Sequence, residues 1–358
     1  MSKNALVTVT AVSDALSIET RPFNSVLMIT KTIDIKSATT NNPIVITSAS
    51  QLLEQYPSDI TATSPEYLYA KDYFGASPKP TKLFVYGELT GNYTTMLSGL
   101  DSRWTKNWFY TLPVDSTVAS MGEVFSFLDG TSNYYVALFQ GAENVTISDN
   151  IANVKQYPKK SGFYIAADVA EKQIANLIGS RVEFFPGSVP FSDIQLSGMI
   201  GSGYSETEKL ELVGVKESSA TGINICTRED QMVIIYYGKS MDGITWFDYV
   251  IAEIAIDEYM RVGLTKYLVQ RNTLGNKIPA DEVGRSQIKE EGLRILKEFM
   301  DREIIYGESA VDEDGNRLFN VTVYQVSNRT VEMKYSVVYK GAIIKAKVMI
   351  ELSSINGN

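Results

Sequence analysis

The chain has 358 residues, of which 44% are hydrophobic and 21% are charged, and its formal net charge is −9. This length and composition indicate a folded globular protein with two domains, or one domain with an insertion, and the negative charge gives no global reason to bind nucleic acid or an anionic membrane. The absence of histidine and the single cysteine, Cys226, exclude Ser–His and Cys–His nucleophilic sites, most zinc sites and an intramolecular disulfide.

The first twenty residues are polar and β-prone, with an extended run from Leu6 to Thr10. They are too short and too weakly patterned to fold alone, so we interpret 1–20 as an extended arm, with a frayed terminus as the alternative. This segment has no long apolar run, and no part of the chain is apolar for the length of a bilayer. We therefore predict neither a signal peptide nor a membrane span, and we expect a cytoplasmic site of synthesis.

Between residues 21 and 225, short apolar runs alternate with stretches of helical periodicity. The run Val26–Ile29 is solidly apolar, as is typical of a strand buried on both faces. Ser64 and Pro65 mark a helix start, because serine is a favoured N-cap and proline suits the first helical position. The alternation predicts an α/β layer with a largely parallel sheet. Strands are predicted at 26–29, 44–47, 82–86, 108–111, 134–139 and 162–166, and helices at 50–56, 65–74, 118–128 and 169–177.

From residue 226 the pattern changes to two long helices followed by strands. After a strand at 232–237, helices are predicted at 247–270 and 281–304, each with a buried stripe and with opposite charges at helical spacing. The expected ion pairs are Asp257–Arg261, Glu290–Arg294, Lys297–Asp301 and Glu298–Arg302. Strands are then predicted at 321–326 and 331–338. A last strand is predicted at 344–352 from strict apolar and polar alternation, with an apolar face of Ile344, Ala346, Val348, Ile350 and Leu352.

Two segments resemble ligand-binding loops, but neither has all the residues that its motif requires. Gly238-Lys-Ser240 ends like a phosphate-binding loop, but that motif needs glycine where Val233 stands, so a turn is the better interpretation. The acidic run from Asp312 lacks the glycine and the closing glutamate of a calcium loop and is also interpreted as a turn. Cys226 lies in an apolar stretch and is predicted to be a buried thiol. We therefore expect no enzyme activity, no metal and no cofactor.

Four segments stand out for their order and spacing. SPEYLYAKDYF at 64–74 is followed by SPKP at 77–80, and KIPADEVG at 277–284 and GAIIKAKVMI at 341–350 come later in the chain. Taken in this order, they resemble stretches of the contractile phage tail sheath family, most closely its compact branch, and the segment at 64–80 is the most specific match. The resemblance covers nearly the whole chain and is weakest between about 87 and 200.

The resemblance implies a mixed fold, with an N-terminal and middle α/β layer, a C-terminal α+β domain and extended terminal β-arms. We expect an arm at 1–20, an outer α/β domain at 21–225, an inner, tube-facing α+β domain at 226–340 and a second arm at 341–358. The family's arms add strands to neighbouring subunits. This implies an interface role for Leu6, Val7, Thr8, Val9 and Thr10, and for the apolar face of the last predicted strand.

The resemblance also implies a function and partners. Subunits would polymerise helically around a tail tube and contract to drive it through a cell envelope, in a phage tail or tail-like particle assembled in the bacterial cytoplasm. The expected partners are other copies of the chain, the tail tube protein, and the baseplate and tail terminator proteins, with no nucleic acid and no membrane. The long helices could face the tube through Asp257, Arg261, Glu290, Arg294 and Lys297, although ordinary solvated faces explain these charges equally well. An α/β enzyme that binds a nucleotide or small molecule remains the alternative.

Overall fold

Two sheets and nine described helices carry the fold in the computed structural model, which describes residues 3–9, 22–89, 91–131, 133–214, 221–229, 231–279, 281–327 and 330–341. The strands are β1 (Lys3–Val9), β2 (Val26–Thr30), β3 (Ile44–Ile46), β4 (Leu83–Gly87), β5 (Tyr110–Pro113), β6 (Val136–Gln140), β7 (Gly162–Ala166), β8 (Ile223–Glu229), β9 (Met232–Tyr236), β10 (Phe319–Ser327) and β11 (Thr330–Val337). The helices are α1 (Ser50–Gln55), α2 (Pro65–Phe74), α3 (Tyr93–Trp104), α4 (Val118–Gly130), α5 (Ile147–Gln156), α6 (Gln173–Arg181), α7 (Glu206–Val213), α8 (Phe247–Thr273) and α9 (Glu282–Asp301).

The larger sheet has eight strands in the order β3-β4-β2-β5-β6-β7-β8-β9. Its six inner strands are parallel, and β3 and β9 join antiparallel at the two edges. Helices cover both faces, as a parallel sheet requires. The residues of β2 show this directly, because Val26 and Met28 belong to one apolar cluster and Leu27 and Ile29 to the other. The predicted α/β layer and mixed fold class are confirmed.

Both edges of this sheet are protected against pairing with another strand. β3 has only three residues. Beyond β9, the segment 193–196 runs alongside the strand: the Leu196 N–H donates to the Val233 carbonyl at 2.8 Å, and the Ile235 N–H donates to the Ile194 carbonyl at 3.2 Å. Sheets avoid unwanted pairing when their edge strands are short or covered. The edges at β3 and β9 are therefore poorly suited to pairing with a strand of another chain.

Four helices depart from the sequence prediction. α3, α5 and α7 were not predicted, although Asn92, Thr146 and Ser205 cap them through hydrogen bonds from backbone N–H groups three residues later. The helix predicted at 169–177 begins instead at Gln173. Its first N–H groups bind acceptors from distant elements: Lys172 donates to an Asp72 oxygen at 2.6 Å and Ile174 to Gln140 Oε1 at 3.0 Å. Tertiary partners therefore define where α6 starts.

The C-terminal part is a helical hairpin, α8 and α9, packed on a three-stranded antiparallel sheet in the order β1-β11-β10. Glycines allow close approach: a Cβ at Gly263 would lie 2.5 Å from Ile295 Cδ1, and one at Gly292 would lie 2.7 Å from Met333 Cε. One apolar cluster runs from the large sheet through both helices to β10 and β11. The boundary predicted at 225/226 stays a prediction, and β9, which lies beyond it, belongs to the large sheet. No described helix has the length and apolarity of a membrane span.

Candidate assembly surface

The carboxyl ends of β2 and β5 meet where the strand order reverses direction, which is where open α/β sheets usually bind ligands. Here the position is filled by a polar cluster around Lys31. Its Nζ lies 2.9 Å from Ser120 Oγ, 3.2 Å from Glu123 Oε2 and 3.5 Å from Asp115 Oδ2. Burial opposes ionisation of Asp115, but hydrogen bonds from Ser120 and Thr117 together with the Lys31 charge lower its pKa. Lys31 therefore pairs with two carboxylates of its own chain, as in a structural ion-pair network.

A buried carboxylate beside this cluster is also engaged within the chain. Glu66 is only 1% exposed. It accepts a hydrogen bond from Thr30 Oγ1 at 2.5 Å and another from the Thr32 hydroxyl. A buried carboxylate needs such donors, so Glu66 is explained by its contacts with the end of β2.

The Gly238-Lys-Ser240 segment is a turn between β9 and α8. Asn224 on β8 binds it twice: Asn224 Oδ1 accepts from the Lys239 N–H at 2.8 Å, and its Nδ2 donates to the Lys239 carbonyl at 2.8 Å. Gly238 has φ of +73°, and a Cβ there would lie 2.8 Å from the Ser192 backbone. The glycine therefore serves a left-handed turn against a neighbouring chain segment.

The two other chemical candidates are explained in the same way. Asp312 Oδ1 accepts from the backbone N–H groups of Asp314, at 3.0 Å, and Asn316, at 2.7 Å, which is a side-chain-stabilised turn. Cys226 is fully buried, as predicted, and burial raises its thiol pKa well above the ordinary value. A buried neutral thiol is unreactive.

The five candidate tube-facing residues are spread over different environments. Asp257 is half-buried and accepts a hydrogen bond from the Tyr335 hydroxyl on β11. Arg261 donates two hydrogen bonds of 2.8 Å to Glu258, where helical spacing predicted Asp257 as its partner. The remaining three, Glu290, Arg294 and Lys297, are exposed on α9.

The ion pairs predicted for α9 are partly correct. Lys297–Asp301 at 2.9 Å and Arg302–Glu298 at 3.5 Å occur as expected. The prediction Glu290–Arg294 is wrong, because Arg294 binds Glu291 at 2.6 Å. An i, i+3 partner lies as near as an i, i+4 partner on a helix.

Arg294 and Lys297 line an open groove between α8 and α9 of about 460 Å³. Its floor contains Gly263 and Ile295, and its rim carries Lys266, Glu298, Asp301 and Arg302. Arg302 also stacks on Phe185, with its guanidinium carbon 4.1 Å from the ring centroid. The groove therefore carries charges of both signs, most of them already paired along α9.

The three-stranded sheet unites the N-terminal arm with the C-terminal part. β1 pairs antiparallel with β11, with Leu6 opposite Lys334, Val7 opposite Met333, Thr8 opposite Glu332 and Val9 opposite Val331. β11 is central, and β1 and β10 each have one strand neighbour among the described residues. Thr10 lies outside the described residues, as do Ile344, Ala346, Val348, Ile350 and Leu352. The sequence predicted β11 as a strand but could not reveal that it holds β1.

Solved structures with the same fold are components of contractile injection machinery. A chain of the anti-feeding prophage (AFP) baseplate matches at a TM-score of 0.64 and 12% identity, covering 96% of each chain. A chain of the AFP helical sheath in the contracted state matches at 0.61 and 13%, covering 97% of this chain and 98% of that one. The sheath tail protein Lin1278 from Listeria innocua matches at 0.59 and 11%, covering 90% and 95%.

No protein-family model matches the sequence, and no curated protein matches it significantly. The likeness therefore rests on three-dimensional structure, and it extends over nearly the full length of each compared chain. The chain has the fold of contractile tail sheath proteins, as the sequence resemblance predicted.

Proposed function

We propose that this protein is a tail sheath subunit, which polymerises helically around a tail tube and contracts to drive the tube through a cell envelope. The observation that carries the proposal is the full-length likeness in fold to sheath chains. The polar side chains around Lys31 and Glu66, at the carboxyl ends of the parallel strands, bind partners within the chain, which supports a structural role over the enzyme alternative. The proposed setting is a phage tail or tail-like particle, assembled in a bacterial cytoplasm.

The proposed assembly contact is strand exchange at the three-stranded sheet. β1 joins this sheet through backbone pairing with β11. Twelve residues, 10–21, separate it from Pro22, and a chain of that length can reach about 40 Å. β1 could therefore leave its own β11 and pair with the β11 of a neighbour. Exchange of an identical element between copies is a low-cost route to assembly, because the same hydrogen bonds re-form.

The second proposed contact uses the C-terminal segment. Residues 344–352 alternate as an edge-pairing strand would, and β10 has one strand neighbour, β11, among the residues that the structure describes. We assign this segment to the β10 edge of a neighbouring copy. Backbone pairing tolerates changes in side-chain packing, so both arms could keep subunits connected while rigid bodies move during contraction.

The proposed tube-facing surface is the exposed side of the α8–α9 hairpin, with Arg261, Glu290, Arg294 and Lys297 as contacts. Asp257 is a weaker candidate because it faces Tyr335 within the chain. The proposed partners are a tail tube protein for this hairpin, and baseplate and terminator proteins at the two ends of the polymer.

The test is assembly of truncated chains, followed by sedimentation over a range of concentrations. Deleting 343–358 or 1–9 should leave a folded monomer that retains the helical far-UV circular dichroism signal but does not polymerise. The matched control is a chain with Val7→Thr, which keeps the β1 backbone and should still assemble. Normal polymerisation of both truncated chains would contradict the strand-exchange mechanism.

A further inference from the structure

The last turn of α8 and the connection after it carry only basic charges and exposed apolar side chains, in contrast to the acidic chain as a whole. We define the basic tip as residues 269–279, which cover this segment and end before α9, whose first turn is acidic. The tip contains Arg271 and Lys277 and no acidic residue. Leu274 is 73% exposed and Val269 is 40% exposed. An exposed cluster of this kind, beyond the last buried residue of the helix, is suited to a contact with another molecule.

A second exposed segment has the opposite charge. We define the acidic loop as residues 307–316, between α9 and β10. It contains Glu308, Asp312, Glu313 and Asp314 and no basic residue, and all four carboxylates are exposed. The loop is ordered by the Asp312 turn and by a bridge between Val311 and Arg317. Val311 is 54% exposed beside these charges, so this surface too combines charge with an apolar side chain.

The basic tip and the acidic loop lie at opposite ends of α9. The tip precedes the first residue of α9 and the loop follows the last, and a helix of 20 residues is about 30 Å long. The neighbouring strand confirms the direction, because Arg285 at the start of α9 donates to Gln325, near the far end of β10, at 3.1 Å. The two surfaces therefore cannot meet within one chain, whereas they can meet between two copies.

We propose that the basic tip of one copy docks on the acidic loop of a second copy in a head-to-tail contact. Different surfaces on the two partners make the contact heterologous, and a heterologous contact propagates as a ring or an open helix. Charge complementarity would steer the approach and set the register. Leu274 and Val311 would supply the apolar contact at its centre. The second copy is favoured as the occupant because the complementary acidic surface is part of this same chain.

This contact deepens the proposed function, since it rests on self-assembly, but it uses surfaces separate from the three-stranded sheet. Charge reversal tests it. We would compare Arg271→Glu with Lys277→Glu on the tip, Glu313→Lys with Asp314→Lys on the loop, and a chain carrying all four changes. Lys79→Glu with Lys155→Glu, at two exposed positions elsewhere, is the matched control. Circular dichroism of each chain establishes that it is folded.

Reversing the charges on either surface should raise the concentration needed for assembly by about tenfold at low salt, because two charge pairs between the tip and the loop become repulsive. The four-fold variant should return close to the wild-type value, and the control should not move. If either single-surface variant assembles like the wild type, or if the four-fold variant shows no recovery, the proposal is overturned.

Cysteine cross-linking separates failure of this contact from failure of the proposed function. Leu274→Cys and Val311→Cys chains, mixed and oxidised, should form mixed dimers far more than either forms dimers with itself. Val45→Cys, at another exposed position, replaces Val311→Cys in the control. Specific mixed dimers without any polymer would support the contact and contradict the sheath function. Polymers whose cross-links are no more specific than the control would overturn the contact alone.

Discussion

Asp248 should make folding stability depend on pH in a direction opposite to that of most carboxylates. It lies in the first turn of α8, is 8% exposed, and burial raises its pKa from 3.8 to about 7. The unfolded chain therefore releases this proton near pH 4, whereas the folded chain retains it to about pH 7. The Asp248 contribution to stability is greatest below pH 4, falls as the pH rises towards 7, and is constant above that.

The size of the effect follows from the pKa difference. At about 1.4 kcal/mol for each pKa unit, a difference of about three units destabilises the folded state by about 4 kcal/mol at pH 8. Asp248→Asn removes the titrating group while keeping the side-chain shape and an oxygen that can accept from the helix N-terminus. It should therefore unfold at a higher urea concentration than the wild type at pH 8, with the difference shrinking steadily towards pH 4.

Urea unfolding at pH 4.5, 6 and 8, followed by circular dichroism, measures this directly. Asp59→Asn, at an exposed position, is the matched control for the loss of one carboxylate. A stability difference between Asp248→Asn and the wild type that does not change with pH would refute the reasoning.

Other predictions concern packing, electrostatics and the arms. Gly179→Ala should destabilise the protein by about 1–3 kcal/mol in urea unfolding, because the new Cβ would lie 2.4 Å from the Tyr73 carbonyl oxygen. Its control is Gly130→Ala, which has open space around the new Cβ and should be neutral or stabilising. Lys31→Met should lower stability by about 1–3 kcal/mol at neutral pH, because it leaves the Asp115 carboxylate without its cationic partner. The loss should be smaller in strong acid, below the lowered pKa of Asp115, where that carboxyl group is neutral. Equal losses under both conditions would contradict a role in charge pairing. Deleting 343–358 should abolish polymerisation without lowering the monomer's melting temperature, and a lower melting temperature would assign this segment to the monomer fold.

The parts of the fold that the sequence predicted well are those whose local pattern and tertiary environment agree. β2 is solidly apolar and is buried on both faces, and β7 was predicted at its observed bounds. α2 also begins and ends as its Ser-Pro start and its closing glycine indicate. In these elements a single physical cause, burial of a strand or the fixed φ of a proline at the first helical position, determines both the pattern and the structure.

Where tertiary contacts decide, the sequence was less informative. α3 was missed because its buried residues are interrupted by polar ones, and its start depends on one cap, Asn92. Arg294 has two acidic residues at helical spacing on its N-terminal side, and sequence alone could not choose Glu291 over Glu290. Likewise, the pairing of β1 with β11 joins segments more than 300 residues apart, which no local pattern can reveal.

The candidate site shows the same division. The strand character of Leu6 to Val9 was predictable from β-prone residues, but the edge at which it docks was not. The sequence also predicted that Gly238-Lys-Ser240 is a turn and not a phosphate-binding loop, because Val233 stands where that motif needs glycine. The hydrogen bonds from Asn224 that hold this turn were not predictable, because they come from a different strand.

The measurement that tests the central claim most directly is negative-stain electron microscopy of the purified chain across a range of concentrations, with and without a tail tube as template. The proposed function predicts hollow, striated tubes or rings wide enough to enclose an inner tube, with a regular axial repeat. Monodisperse monomers at every concentration, even in the presence of the template, would contradict it.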